Sequence, residues 1–213
     1  DVAGNLETAF PVRSFVFDNT APTTVVGFPT EGGSFQAAAV TAVSGTAADS
    51  PAGVSPNVDA STWGLRVNLQ EQETGLWFNG SAFALASEPV PPLSADTTGW
   101  TLAVLNPQTV FADGYHYGVR VVGRDSVGNQ ETQANKAMTS FLIDNTVPSA
   151  SVTNPPDLTA QGDTLVLTGT ASDPAPEAGH TASGISGAEE IFLSIRQTSS
   201  SVNSLPLPTD FYW

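Results

Sequence analysis

The residues best equipped for chemistry in this 213-residue chain are acids and amides set in repeated phrases. Asp18 and Asn19 open DNTAP (18–22), and Asp144 and Asn145 open DNTVP (144–148), an offset of 126. Asp49 ends GTAAD (45–49), Asp173 ends GTASD (169–173), and Asp125 opens DSVGN (125–129). Carboxylates, Asn side chains and backbone carbonyls are ligands for a hard cation. Calcium takes about 6–8 such oxygens in irregular geometry, whereas magnesium demands a stricter octahedron. Against this, no D-x-D-x-D-G loop is present, and Asp and Asn at turns commonly serve only the backbone. Other chemistries are poorly supplied. Two histidines, His116 and His180, and no cysteine argue against tetrahedral zinc. No G-x-S-x-G elbow marks a nucleophile, and no pair of carboxylates stands out for acid–base work. The expectation is a protein that is not an enzyme and needs no cofactor, with calcium as the one candidate ion.

The charge balance narrows the partners. Six basic residues face 21 acidic ones, for a net charge of −15. A nucleic-acid binder needs a basic patch to neutralise phosphates, and the bases here are few and scattered. Anionic membranes are disfavoured for the same reason. No apolar run approaches the length of a membrane span, so membrane insertion is not expected. An acidic surface keeps a protein soluble and can attract divalent cations.

The elements that must position these acids are short strands. Gly and Pro, at 19 and 16 residues, punctuate brief apolar runs rich in Val, Ala, Leu and Phe. Alternation predicts strands over TTVVGF (23–28), AVTAVSGTA (39–47), TWGLRVNL (62–69), GWTLAVL (99–105) and YHYGVRVVG (115–123), with a last one ending at FLID (141–144). FNGSAF (78–83) reads as a hairpin around Asn79-Gly80. No amphipathic helix is evident. About seven short strands with turn signals between them predict an all-β fold, a Greek-key β-sandwich. Tyr117, Val119 and Val121 should face inward, with Tyr117 pinning the connection before its strand, and His116 should face out. Gly128 and Asn129 suit a tight turn by tolerating positive φ, and Asp125 can accept backbone amides there.

The phrases belong to a longer echo. DVAGNLET (1–8) answers DSVGNQET (125–132), FVFDNTAP (15–22) answers FLIDNTVP (141–148), and VSGTAADS (43–50) answers LTGTASDP (167–174). A period near 125 residues is too long for a solenoid unit and suits one sandwich domain. It divides the chain into residues 1–19, the terminal strand of a preceding repeat; 20–146, a complete repeat; and 147–213, the first half of a following one. The expectation is an excerpt of a long array. Residues 1–19 should pair with another segment, in this chain or an adjacent one, because an open sheet edge invites pairing.

In this order, D-x-x-G-N, D-N-T-x-P, G-T-A-x-D and the corner FADGYHY (111–117) resemble the bacterial immunoglobulin-like domains strung in tandem along large surface and secreted proteins. The resemblance covers the whole chain. It implies an immunoglobulin-like sandwich in a tandem array, outside the cell or at the bacterial cell surface, serving as spacer, adhesin or assembly unit. Its partners would be neighbouring repeats in the same or an adjacent chain, or a cell-surface glycan or protein. In such a tandem the last strand of one domain delivers the linker to the top loops of the next. Pro22 and Pro148 stiffen that exit. The placement would bring Asp18 and Asn19 to Asp49 and Asp125, and Asp144 and Asn145 to Asp173, with Asp113 approaching from above. Each junction could then hold calcium. The rival reading is a carbohydrate-binding module of a secreted enzyme, with Trp63, Trp77, Phe78, Trp100, Tyr115 and Tyr117 stacking on sugar rings. Exposed coplanar rings would favour sugar; buried rings would favour a stalk.

Overall fold

The computed structural model describes residues 2–6, 9, 11–49, 64–89, 99–125, 127–132, 138–156, 166–185 and 191–195. It is mostly β. The strands are β1 (Thr23–Phe28), β2 (Gly33–Phe35), β3 (Ala42–Ala48), β4 (Leu65–Glu71), β5 (Trp77–Phe78), β6 (Phe83–Leu85), β7 (Gly99–Ala103), β8 (His116–Gly123), β9 (Thr139–Ile143), β10 (Ser149–Asn154) and β11 (Thr168–Ser172). Among the described residues the only helical pieces are a 3-10 turn at Ala37–Ala39 and one α-turn at Pro107–Val110.

Residues 20–146 build two sheets, ordered β1-β3-β7 and β2-β9-β8-β4-β5-β6. Each expected strand forms within a few residues of its expected bounds. β2 was not foreseen; it is three residues long and pairs parallel with β9, Gly33 to Phe141 through Phe35 to Ile143. A run that short carries no alternation to read. The Asn79 hairpin forms as expected: Gly80 takes φ 102°, and Asn79 Oδ1 accepts the Ser81 and Ala82 amides, both at 2.9 Å.

The core fills the space between the two sheets. Val43, Ala47, Trp100 and Leu102 come from one; Leu65, Val67, Leu69, Tyr117, Val119, Val121, Phe141 and Ile143 come from the other. Tyr117 is fully buried, and its phenol oxygen accepts the Ala112 amide at 2.7 Å. The alternation expected for Tyr117, Val119 and Val121 therefore holds. Burial pushes that phenol above its ordinary value. The Trp100 ring lies over Gly45, and a Cβ there would stand 2.5 Å from the ring and 2.0 Å from the Val25 carbonyl oxygen. The glycine of GTAAD is thus required by close approach.

β10 and β11 form a separate antiparallel ladder. Its register, Ser149 to Ser172 through Asn154 to Thr168 with an irregularity between Val152 and Asn154, repeats that of β1 and β3, Thr23 to Ala48 through Phe28 to Ser44 with one between Val26 and Phe28. Gly169 stands where Gly45 does, and a Cβ on it would meet the Ser151 carbonyl oxygen at 2.3 Å.

The segment preceding β1 is the one expected to pair within this chain or with an adjacent one. None of its described residues forms a strand, and Phe15, Val16 and Phe17 are exposed. Their counterparts in β9 are Phe141, Leu142 and Ile143. The place beside β8 and β2 is taken by β9.

Candidate metal centre

Three of the expected acids meet where the chain enters β1. Thr23 pairs with Ala48, so the residues before Thr23 lie at the same end as Asp49, which follows β3. β8 ends there too, because Thr24 Oγ1 lies 3.1 Å from the Val121 carbonyl oxygen. Asp125 begins the turn that follows. One carboxylate oxygen from each of Asp18, Asp49 and Asp125 lies within 4.8 Å of the others. Oxygens sharing one calcium at about 2.4 Å stand at most about 4.8 Å apart, so the trio has the right spread. No other group of three acids or histidines gathers this closely among the described residues.

Two of the three carboxylates, Asp18 and Asp125, are held by hydrogen bonds to the chain. Asp18 Oδ1 accepts the Thr20 amide at 2.9 Å and the Thr20 hydroxyl at 2.6 Å, an Asx turn that ends the extended segment. Asp18 Oδ2 is buried without a hydrogen-bond partner. Asp125 is buried, and its Oδ1 accepts the amides of Val127, Gly128 and Asn129 at 2.7–3.0 Å. Asn129 Nδ2 donates both to Asp125 Oδ2 at 2.7 Å and to the Asp18 carbonyl at 3.2 Å, tying the turn to the incoming segment. Of the two residues expected to tolerate positive φ, only Gly128 adopts it, at 103°. Asn129 instead spends its side chain on the two bonds just described. Asn19 is exposed.

The second junction gathers the expected residues differently. Asp144 and Asp173 meet through Ser183 and Gly184. The Ser183 amide donates to Asp144 Oδ2 at 2.5 Å, and the Gly184 amide to Asp173 Oδ2 at 2.8 Å. Asp113 does approach from above: its Oδ1 accepts the Asn145 amide at 2.7 Å and its Oδ2 the Thr146 hydroxyl at 2.8 Å. Asn145 points away from Asp173, its Oδ1 accepting the Ala37 amide at 2.8 Å. Burial alone would raise the Asp144 pKa. The amide and hydroxyl of Ser183 and the Thr146 amide outweigh that and hold it below its ordinary 3.8. Hydrogen bonds to the chain occupy both oxygens of Asp113 and of Asp144, while Asp173 Oδ1 is buried without a hydrogen-bond partner.

Two contributors were missed by the sequence reading. The loop 173–185 docks on the corner at Asp113–Tyr115: the His180 ring packs on Tyr115 at 4.3 Å between centroids, and the Thr181 amide donates to the Gly114 carbonyl at 3.2 Å. Its Pro-rich composition signalled a loop but not a docking surface. Glu131 accepts the Thr24 amide at 3.0 Å, the Thr24 hydroxyl at 2.6 Å and the Gly123 amide at 2.7 Å, clamping β1 to β8. Its signal was present, since it lies inside the repeated G-N-x-E-T phrase.

The remaining candidates resolve simply. His116 is half-buried, with Nδ1 at 2.9 Å from Glu73 Oε1. Trp77, Phe78, Trp100 and Tyr117 are buried, and Tyr115 is partly buried against the core. Trp63 lies outside the described residues. No helix among the described residues is long and apolar enough to cross a membrane. No family model, curated protein or solved structure matches this chain.

Proposed function

We propose that this protein is a non-enzymatic segment of a bacterial extracellular surface protein, built from tandem immunoglobulin-like domains and acting as a spacer, adhesin or assembly unit. The observation that carries the reading is the recurrence of the β1–β3 ladder as β10–β11, with the same register and the same irregularity. A sequence echo can arise from shared turn chemistry. A shared register and a glycine meeting the same partner carbonyl require the same local packing. Strand order supports the immunoglobulin-like assignment: β1-β3-β7 facing a sheet centred on β9-β8-β4 corresponds to the two sheets of that sandwich. The rival glycan module expects a row of exposed rings, and the described tryptophans are buried instead.

In this reading the junctions set the angle between neighbours. The first does so with calcium held by Asp18, Asp49 and Asp125, an ion that would offset their mutual repulsion; the second does so with the docked loop. Calorimetry with calcium should give binding heat for the intact chain, lost in Asp18→Ala and Asp49→Ala and kept in Asp144→Ala. Absence of heat in the intact chain would reduce the trio to turn chemistry. Small-angle scattering should report an elongated particle. A glycan array should stay blank; binding that disappears in a folded Trp77→Ala variant would move the protein to the carbohydrate-binding class.

A further inference from the structure

The tip of the β5–β6 hairpin brings together the parts of a spontaneous backbone reaction. Asn79-Gly80 is the only Asn-Gly step in the chain, and both residues are exposed. The amide carbon of an asparagine side chain can be attacked by the backbone nitrogen of the next residue. The new bond closes a succinimide ring and the bond from Cγ to Nδ2 breaks. The side-chain nitrogen leaves as ammonia, carrying the proton of the attacking amide. Water then opens the ring to aspartate or isoaspartate. No oxidant, reductant or second protein enters the balance.

The turn presents the reacting atoms favourably. The nucleophile is accessible: the Gly80 amide donates to no described residue, and a Cβ on Gly80 would meet nothing within 4 Å. The electrophile is polarised: Asn79 Oδ1 accepts the Ser81 amide, the Ser81 hydroxyl and the Ala82 amide, each at 2.9 Å. That oxygen carries the negative charge when the Gly80 nitrogen adds to Cγ, so the same donors stabilise the addition as an oxyanion hole does. The leaving group is unhindered, since Asn79 Nδ2 donates to no described residue. Other asparagines lack one part or another. Asn106 and Asn154 precede proline, which has no amide proton to give up. The amides after Asn19 and Asn145 already donate to Asp18 and Asp144. The side-chain nitrogens of Asn68 and Asn129 are bonded to Glu88 and Asp125.

We propose that Asn79 is a self-modification site, converted to aspartate and isoaspartate in the folded chain by attack of its own Gly80 amide. The two products differ in consequence. Aspartate keeps an oxygen for the Ser81 and Ala82 amides and adds a charge to an acidic surface. Isoaspartate inserts a methylene into the main chain between the paired Phe78 and Phe83, whose rings pack at 5.3 Å between centroids, and so breaks that pairing. The inference does not depend on the spacer reading. The intact chain, held at mildly alkaline pH and then digested, should show the mass gain of amide-to-acid conversion at Asn79 ahead of the other described asparagines, with matching release of ammonia. Gly80→Ala should suppress the conversion by crowding the nucleophile. Because a Cβ at φ 102° also strains the turn, Ser81 gives the second measurement. Ser81→Ala removes one donor to Oδ1 and should slow the conversion about two- to tenfold, and Ser81→Thr should restore it. Asn79 left intact while other described asparagines convert overturns the proposal, as does conversion at a rate that neither Gly80→Ala nor Ser81→Ala changes.

Discussion

The β1–β3 and β10–β11 ladders share a register and a close-approach glycine, yet they live in different surroundings. The first is roofed by Trp100, whose indole Nε1 donates to the Thr46 carbonyl at 3.2 Å above Gly45. The second shows its corresponding face to solvent. Backbone pairing and the required glycine are therefore local properties of the paired segments, and burial is a property of the cover. The junctions preceding the two ladders differ in parallel. At the first, a trio of carboxylates converges, with Asp18 Oδ2 buried and without a hydrogen-bond partner. At the second, the Ser183 and Gly184 amides each bond one oxygen of Asp144 and Asp173, while Asp173 Oδ1 is likewise buried without a partner. The same phrase joins a carboxylate cluster or a loop latch, according to which segment reaches it.

The largest expected effect separates the two ladders. Trp100→Ala should destabilise the central unit by about 3–5 kcal/mol, the usual loss for a buried aromatic core residue. The inter-strand contacts of Ser151 with Thr170, read by NMR, should be unchanged, because no Trp100 contact reaches them. Loss of both together would mean that the ladders fold as one cooperative block.

The junctions separate by a smaller effect. Asp144→Ala leaves the Ser183 amide without its acceptor and should cost about 1–3 kcal/mol, seen as release of the loop 173–185 in hydrogen exchange. Asp18→Ala should leave that loop protected. The pH dependence has a definite sign. The folded Asp144 pKa lies below its ordinary value, so its contribution is fully present above about pH 4. It is lost as pH falls through the lowered folded value. The Ser183 amide resonance should hold its position from neutral pH to about 4 and move only below. Movement well above pH 4 would mean that Asp144 does not control that amide, leaving the packing of the His180 ring on Tyr115 as the loop's anchor.

The smallest effect concerns that histidine. His180→Ala removes a ring contact with Tyr115 and should cost about 0.5–1.5 kcal/mol, measured by thermal melting, with no change in calcium binding at the first junction. A large loss would mean that the ring, not the Asp144–Ser183 bond, holds the loop.

Much of this was legible in the sequence. The strands announced themselves by alternation because each presents one face to a core, as Tyr117, Val119 and Val121 do. The turn at Asp125 was legible because its partners lie within four residues. The meeting of Asp18, Asp49 and Asp125 followed from the order expected of a tandem sandwich. Less could be read where the partner is distant or the element is short. β2 has three residues and is held by a parallel pairing more than 100 positions away. The reach of Glu131 to Thr24 and of Ser183 to Asp144 depends on loop paths that no local pattern encodes.

The sequence by itself determined the recurring phrases, the strands, the acidic character and the identity of the clustered acids, because these depend on side-chain type and near-neighbour spacing. Only the tertiary structure decided which acids converge, which are bonded by backbone amides, and which aromatic rings are buried. Those depend on contacts between segments far apart in the chain, and two nearly identical phrases received different answers because different neighbours folded against them.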